Sequence, residues 1–493
     1  MASLRTVRQK MTWWVGSKLP TERLSRGITV LAGGNALAQG LTIAASPILT
    51  RLYTPAEFGT LAVYMSLTTI LGVALSARYQ MAIALPESDR EALAVVKLSL
   101  AIVLVSTIIM TLVVLLFRDA IAFGLNSPAL GGYLWMLPLS VIAIGSFTVF
   151  RLWAIRSREF ALVGKVRIRQ VFASLLVQIA GAPLGALGLL LGQLANQGAG
   201  MTALGRGPLS RQEFRSADLA SLRYMLVRYR RFPLFTTWSS LMNRISLQLP
   251  TLVFSVLFGP SAVGFYALAN RILKTPSGVF VGAINDVFLT TAPTALREGW
   301  LRGLVLATHQ RMSSLAMPPL ALMAIVAPQL FGLVFGEQWT IAGEYGRWIV
   351  ILVYFSLVAS PLSGLFSVLE KQGHDLFFQC LLLACRATAL LIGGHLGDPV
   401  MAIALFCLVS AACYTCVLYW VGSQVEEGHA PMLRHTLIAA AASLIVSAPA
   451  ALGLFSGEPI VRISSALVSA ALCAAYLVRA LRRRFDPTGK SSG

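Results

Sequence analysis

The chain has 493 residues, of which 56% are hydrophobic and 12% are charged, about half the charged share of an average globular domain. Lys and Arg outnumber Asp and Glu by 40 to 20, but the basic residues stand mostly in short segments between apolar runs. This pattern excludes a large soluble domain, and the lack of a basic domain with interleaved aromatic residues argues against nucleic-acid binding. The predicted fold class is an all-α polytopic membrane protein.

The apolar runs predict about 14 transmembrane helices. They cover residues 27 to 50, 59 to 85, 93 to 117, 130 to 153, 168 to 185 and 186 to 204, then 233 to 258, 263 to 292, 312 to 335, 345 to 369, 376 to 396, 400 to 422, 435 to 455 and 460 to 481. The predicted domains are a basic N-terminus (1–26), an N-lobe of helices 1 to 6 (27–204), a basic connector (205–232), a C-lobe of helices 7 to 12 (233–422), helices 13 and 14 (423–481) and a tail (482–493).

The distribution of positive charge between the spans predicts the orientation. Basic residues concentrate before the first span, after the fourth, after the sixth and at the C-terminus. Loops that are rich in Lys and Arg remain on the cytoplasmic side of a membrane. We therefore expect both termini and the connector to lie in the cytoplasm.

A short motif occurs twice and indicates an internal repeat. Pro47 precedes a P-x-x-x-G motif that ends at Gly59, and Pro250 precedes a P-x-x-x-G motif that ends at Gly264. The offsets between the two prolines and between the two glycines are 203 and 205 residues. This agreement favours two six-helix halves in the same orientation, as in secondary transporters with parallel repeats. A chance match of common turn-forming residues is the alternative.

Two stretches of the chain resemble a known family. Residues 26–86, with GGNALAQ, SPILTRLYTPAEFG and ARYQMAIALP, and residues 228–292, with YRRFPLF, SLQLP, FGPSAVGFYALANRIL and AINDVF, resemble the opening helices of the two lobes of polysaccharide biosynthesis proteins that flip O-antigen and exopolysaccharide repeat units. The last two helices look like the pair often appended to the twelve-helix core. The resemblance implies the multidrug, oligosaccharidyl-lipid and polysaccharide exporter superfamily, with two parallel six-helix lobes in a V around a central cavity.

The same resemblance implies a function and a location. The protein would be a flippase of the bacterial inner membrane that moves undecaprenyl-diphosphate-linked oligosaccharide repeat units from the cytoplasmic to the periplasmic leaflet by alternating access. Its partners would be this lipid-linked substrate, the lipid bilayer and the polysaccharide polymerisation and export machinery. A monomeric transport unit is expected, because each half supplies one wall of the cavity.

Polar residues inside the predicted spans are the candidates for a substrate cavity, because an anionic diphosphate needs positive charge in place of its hydration. Arg244 and Gln248 are spaced i, i+4, and Arg271, Lys274 and Asn285 fall near one helix face, with Asn270 beside it. The complete candidate set is Asn35, Gln39, Arg78, Arg244, Gln248, Asn270, Arg271, Lys274 and Asn285.

Each candidate also has a structural interpretation. Arg78 and Lys274 lie close enough to span ends to reach the lipid headgroups. The amides of Asn35, Gln39 and Gln248 equally suit hydrogen bonds between helices. Arg347 and Arg386 lie in later spans, where the sequence does not distinguish a cavity from a helix interface.

Carboxylates are rare inside the predicted spans. Asp286 is the clearest, and it is the candidate for coupling transport to an ion, with pairing to Arg297 as the alternative; Glu344, Glu370 and Asp375 look terminal. This scarcity disfavours the second hypothesis, a cation-coupled multidrug or small-molecule antiporter of the same superfamily. A third hypothesis, a membrane glycan polymerase or ligase, is disfavoured by the short outer connectors.

No enzymatic activity, cofactor or metal is predicted. The chain has no G-x-x-x-x-G-K-[ST] motif for ATP hydrolysis. Cys413 and Cys416 form a C-x-x-C pair, but no second pair or histidine cluster completes a zinc site.

Reporter fusions test the predicted topology. We expect fusions after Gly205 and after Arg484 to report the cytoplasm and a fusion after Gly259 to report the periplasm, because of the charge asymmetry between loops. Opposite signals from the Gly205 and Arg484 fusions would require an odd number of spans between them and would exclude the fourteen-helix topology.

Overall fold

A computed structural model describes residues 22–482 of the chain, apart from 75–76, 217, 426–427 and 457. The described residues form eighteen α-helices and no β-strand, which confirms the predicted all-α membrane fold class. The helices α1 to α18 are Glu22–Ala44, Ser46–Leu52, Pro55–Ala74, Asp89–Gly124, Pro128–Gly131, Met136–Arg156, Phe160–Ala180, Ala186–Leu209, Gln212–Ser216, Leu219–Arg228, Thr237–Arg297, Leu301–Phe335, Thr340–Ser363, Leu365–Val368, Gln372–His395, Pro399–Ser423, His429–Leu454 and Pro459–Arg482.

The protein is a multi-pass membrane protein. Among the described residues, 10 helical stretches are long and apolar enough to cross a membrane. The helices α1, α7 and α8 are not among those 10. The long helix α11 is interrupted at Gly259, where φ is 77° and ψ is −178°, a conformation that favours glycine. This break lies between the predicted spans of 233 to 258 and 263 to 292. The count of fourteen spans and the V-shaped arrangement stay predictions.

The second predicted span, 59 to 85, is wrong at its end, because residues 77–78, beyond the described part of α3, form a turn. Arg78 has the left-handed conformation (φ 57°, ψ 11°) and is followed by the 3₁₀ helix Tyr79–Ala84. Tyr79, Ala82 and Ile83 of this segment pack in a buried cluster that includes Val149 and Trp153. The Tyr79 hydroxyl donates a hydrogen bond to the carbonyl oxygen of Leu226 at 2.9 Å. The hydropathy of these three residues therefore reflects burial against protein.

The contacts divide the chain into two compact units. The first unit comprises the chain up to Ala45 together with Leu67–Arg118 and Gly132–Ile245. The second unit comprises Ser46–Ser66, Asp119–Gly131 and the chain from Ser246 onward. Two segments from the first half of the sequence thus belong to the second unit. The division into an N-lobe at 27–204 and a C-lobe at 233–422 stays a prediction.

In the second unit, the residues around Thr54 determine where α3 begins. The backbone N–H of Thr54 donates to the Glu57 carboxylate at 2.7 Å, and the backbone N–H of Glu57 donates to the Thr54 hydroxyl at 3.4 Å. This reciprocal pair is a capping box, and Pro55 occupies the first helical position, where its missing N–H has no cost. The cap fixes the start of the helix, and Gly59 follows one turn later.

The two P-x-x-x-G motifs contact each other in the second unit. A Cβ atom on Gly59 would lie 1.7 Å from the carbonyl oxygen of Pro260, and a Cβ atom on Gly264 would lie 1.8 Å from the carbonyl oxygen of Pro55. The glycine of each motif thus packs against the proline of the other, so that the contact is reciprocal. Only glycine permits this separation between two helix backbones. We call this contact the glycine crossing.

Hydrogen bonds and aromatic rings surround the glycine crossing. The indole Nε1 of Trp339, a fully buried residue, donates to the carbonyl oxygen of Thr50 at 2.9 Å. The Phe58 ring meets the Trp339 ring edge-on, with centroids 5.0 Å apart. The Ser255 hydroxyl donates to the carbonyl oxygen of Leu125 at 2.6 Å. These contacts connect residues 46–66 and 119–131 to the second half of the chain.

Substitution of the crossing glycines tests this packing. We expect Gly59→Ala and Gly264→Ala each to lower the thermal unfolding temperature in detergent, because an added methyl group meets backbone and overpacking of this kind costs about 1–3 kcal/mol or more. Gly40→Ala is the control, since a Cβ atom at Gly40 meets no described atom within 4 Å. Equal unfolding temperatures for Gly59→Ala and Gly40→Ala would contradict the close approach.

Candidate functional site

A cavity of about 310 Å³ lies within the second unit and has a polar wall. Three of its lining residues, Ser356, Ser360 and Ser363, come from α13. Their i, i+4, i+7 spacing places them on one helix face. The hydroxyls of Ser356 and Ser363 donate to carbonyl oxygens of their own helix at 2.9 and 2.7 Å, so their oxygen lone pairs can still accept hydrogen bonds. This stripe of serines was not selected from the sequence, although its spacing was visible there.

One cation and one carboxylate also line this cavity. Lys274 reaches it from α11, and Asp375 reaches it from the first turn of α15. No ion pair joins these two described residues. Asp375 is at a helix end, as expected, and it lines the same cavity as the candidate cation Lys274. The amide of Gln379 and the hydroxyl of Tyr414 complete the polar lining.

Arg386, which the sequence could not assign, is fixed behind the cavity wall. Its side chain is buried on α15, and its Nε donates to the Ser410 hydroxyl at 2.9 Å. Its guanidinium also lies 5.4 Å from the centroid of the Phe406 ring and 5.8 Å from that of the Tyr414 ring, within cation–π range. The charge of Arg386 acts on Lys274. The cavity and its wall therefore hold two cations, Lys274 and Arg386, and one carboxylate, Asp375.

The partners of Arg386 have a sequence signal that was missed. Phe406, Ser410 and Tyr414 recur every four residues and so lie on one face of α16. Two aromatic rings and a hydroxyl on one face can hold a buried guanidinium through ring contacts and a hydrogen bond. Reading α15 and α16 as a pair would have placed Arg386 at this interface.

The structure brings two predicted cations together in the first unit. Arg244 is exposed, and its charge acts on Arg78. Burial and, next, repulsion from Arg244 lower the pKa of the Arg78 guanidinium. Within the described part of the chain, the Nε of Arg78 and the Oε1 of Gln39 are buried without a hydrogen-bond partner. Asn35 is exposed.

The candidate amides in the second unit have different surroundings. Gln248 accepts a hydrogen bond from the Ser66 hydroxyl at 2.9 Å, which gives it the interhelical role that the sequence left open. The Oδ1 of Asn270 is buried and has no hydrogen-bond partner among the described residues. Asn285 is half-buried on the same helix, α11. Buried amide oxygens usually have a partner, so Asn270 is the better candidate for ligand contact.

The remaining candidates are not decided by the geometry. Arg271 is half-buried on α11 and interacts with the protein around it. The side chain of Asp286 lies outside the described residues, so its ion-coupling role stays a prediction. Among the residues that the structure describes, no group of three or more His, Cys, Asp or Glu side chains could hold a metal.

The fold is that of a known class of membrane proteins. A solved structure of the lipid II flippase MurJ, in an inward closed conformation, is similar with a TM-score of 0.71 over 92% of this chain and 100% of that chain. The two sequences are 11% identical, so the likeness concerns the fold alone. The family model described as polysaccharide biosynthesis protein matches residues 48–343. The chain belongs to this family, as its two motif-bearing stretches predicted.

Two curated relatives extend the comparison. The succinoglycan biosynthesis transport protein ExoT of Rhizobium meliloti (strain 1021) is 27% identical over 81% of this chain and 79% of its own length. The lipopolysaccharide biosynthesis protein WzxC of Escherichia coli (strain K12) is 25% identical over 61% of each chain. The similarity to ExoT covers most of both proteins.

Thiol labelling tests the charge of the cavity, because Cys413 lines it. In a variant that keeps only Cys413, we expect an anionic methanethiosulfonate to react about fivefold faster than a cationic one, each normalised to its rate with a free thiol. This ratio corresponds to about 1 kcal/mol between charges several ångströms apart at intermediate dielectric. Adding Lys274→Met should remove most of the preference.

A variant that keeps only Cys473 is the control, since this buried cysteine of α18 does not line the cavity. The Cys473-only variant should react with the anionic and the cationic reagent at equal normalised rates. Faster reaction of the cationic reagent at Cys413 would mean that Asp375 dominates the cavity.

Proposed function

We propose that the protein is a flippase that moves undecaprenyl-diphosphate-linked oligosaccharide repeat units from the cytoplasmic to the periplasmic leaflet for surface polysaccharide biosynthesis. The family and the name of ExoT, a succinoglycan biosynthesis transport protein, support transport in polysaccharide synthesis. The fold likeness to a lipid II flippase is consistent with a lipid-linked cargo. The names of these relatives describe transport or biosynthesis proteins, which agrees with the prediction that the chain is not an enzyme.

The observation that carries the proposal is the cavity of the second unit, whose mainly apolar lining includes serine hydroxyls and Lys274, with Arg386 behind it. A diphosphate that leaves water loses its hydration, and fixed cations can replace part of that stabilisation. Serine hydroxyls and the Gln379 amide can exchange hydrogen bonds with sugar hydroxyls. At about 310 Å³, the cavity would hold one part of a repeat unit, such as the diphosphate or one sugar ring.

We propose that the glycine crossing acts as a rigid element during alternating access. The crossing joins the beginnings of corresponding helices in the two sequence halves, and it buries aromatic side chains that include Trp339. Packed contacts of this kind have discrete arrangements and do not deform continuously. In the proposed cycle, the crossing therefore holds residues 46–66 and the second half of the chain together as one rigid element.

Location and partners follow from this proposal. The protein would lie in the bacterial inner membrane with both termini in the cytoplasm. The polymerisation and export machinery would receive the flipped unit. One chain would form the transport unit, with each half of the chain expected to supply one wall of the pathway.

Deletion of the gene tests the proposed function. We expect the loss of surface polysaccharide and the accumulation of single undecaprenyl-linked units that remain accessible from the cytoplasm. Sensitivity to drugs with intact surface polysaccharide would instead support the multidrug antiporter. Normal export and normal drug resistance would contradict both functions.

Substitutions of Lys274 test the role of its charge. Translocation of a diphosphate-linked sugar in vesicles, normalised to inserted protein, should remain high in Lys274→Arg, fall about tenfold or more in Lys274→Gln, and vanish in Lys274→Glu. The tenfold fall expected for Lys274→Gln corresponds to the loss of one charge-assisted hydrogen bond, about 1.5–3 kcal/mol. The Glu side chain would add repulsion.

Lys371→Gln is the matched control. The Lys371 ammonium donates to the Gln424 side chain at 2.7 Å and does not line the cavity. The Lys371→Gln variant should transport at the wild-type rate. Equal translocation by the Lys274→Gln and Lys274→Glu variants would show that the substrate does not sense charge at this position.

A further inference from the structure

A second cavity, of about 500 Å³, lies in the first unit. It is at the ends of two apolar stretches, since Arg156 is the last residue of the stretch that starts at Met136 and Asp89 is the first residue of the stretch that ends at Gly124. Helix ends of this kind meet the headgroup layer of a bilayer. Its lining consists of Ala84, Asp89, Arg156, Ser157, Arg158 and Arg211. We call it the arginine cavity.

Arg156 forms the rigid wall of the arginine cavity. Its side chain is 14% exposed. Its Nη1 donates to the carbonyl oxygens of Ile83 and Pro86 at 3.3 and 2.7 Å, and its Nη2 donates to that of Glu87 at 3.3 Å. These bonds hold the turn before α4 against the end of α6. Arg156 thus holds the backbone of the site in place and also contributes to its positive charge.

Arg211 and Arg158 supply the accessible charge. The Arg211 guanidinium lies 5.4 Å from the centroid of the Trp153 ring, and its side chain is 42% exposed. Arg158 is exposed, has a left-handed backbone with φ of 60°, and makes no ion pair with any described residue. Both guanidiniums are therefore accessible to a ligand, and the carboxylate that faces Arg211, Asp89, is itself 57% exposed.

A single carboxylate cannot neutralise these arginines. Asp89 is 3.4 Å from Arg156 and 3.5 Å from Arg211, longer than the ~2.7–2.9 Å of a strong charge-assisted hydrogen bond. With three arginines in its lining, the arginine cavity has a net positive wall. The flanking Glu87 and Glu159 are exposed to solvent, where water and salt screen their charges.

We propose that the arginine cavity binds the phosphate of a lipid headgroup, and specifically that of an anionic membrane phospholipid. Guanidinium groups match phosphate oxygens through paired N–H donors. The position at the ends of two spans favours a lipid over a soluble anion, and an anionic phospholipid is already present in the surrounding leaflet at high local concentration. A prenyl diphosphate has the same chemistry, and the experiment separates the two sources.

The test uses the purified full-length protein in detergent and native mass spectrometry with phosphatidylglycerol or phosphatidylcholine. We expect wild type to bind phosphatidylglycerol in preference to phosphatidylcholine. The double variant Arg158→Gln, Arg211→Gln should weaken phosphatidylglycerol binding by about fivefold for each arginine removed, since a basic residue near an anionic lipid contributes about 1 kcal/mol. Arg156 is kept because it supports the backbone.

The control is Arg223→Gln, Arg230→Gln, which removes the same charge from two exposed residues of the connector that do not line the arginine cavity. It should bind phosphatidylglycerol as wild type does. Equal weakening in both double variants would overturn the site in favour of general surface attraction, and no weakening in the first would also overturn it. Tighter binding of undecaprenyl diphosphate than of phosphatidylglycerol, lost in the first variant, would reassign the arginine cavity to that lipid.

Discussion

The close approach of two helix backbones at Gly59 and Gly264 is the constraint on which the second unit depends. Each glycine lies where a side chain would meet the backbone carbonyl of the other motif's proline. The approach brings Thr50 within reach of the Trp339 indole and lets the Phe58 ring meet that indole edge-on. Residues 46–66 therefore pack with the second half of the chain, although they are distant from it in sequence. Lipid tails are as apolar as the helices, so no hydrophobic effect drives helices together within a membrane. Close packing of this kind therefore contributes much of the stabilisation between helices.

The charges within the spans are few, and those with described contacts each have a physical compensation. Arg386 has a hydroxyl and two aromatic rings, and Arg156 has backbone carbonyl oxygens at the end of its span. Lys274 differs from both, because it lines a cavity and makes no ion pair with a described residue. A cation that makes no ion pair with a described residue, in a cavity lined by several hydroxyls, is suited to an anionic ligand that enters and leaves. This contrast distinguishes structural cations from the proposed transport cation.

The sequence predicted the helical membrane fold and the family, and both are confirmed, because each has a local signal. It also placed the seventh and eighth spans on either side of Gly259, where α11 is interrupted, and it selected Lys274, whose role in a substrate site stays a prediction. It extended the second span through residues 79–84, since hydropathy reports an apolar side chain but not whether lipid or protein covers it. The cavity serines, Asp375 and the surroundings of Arg386 required the pairing of α13, α15 and α16. Pairing depends on which faces meet, and the single sequence gives periodicity without that information.

Recognition of a negatively charged head group by the cavity is the basis of the proposed lipid transport. Vesicles that contain the wild-type protein can be supplied with two prenyl lipids that carry the same sugar, one joined through a diphosphate and one through a neutral ether. We expect protein-dependent translocation of the diphosphate lipid and none of the neutral lipid. Equal protein-dependent translocation of the two lipids, or no translocation of the diphosphate lipid, would contradict charge recognition by the cavity.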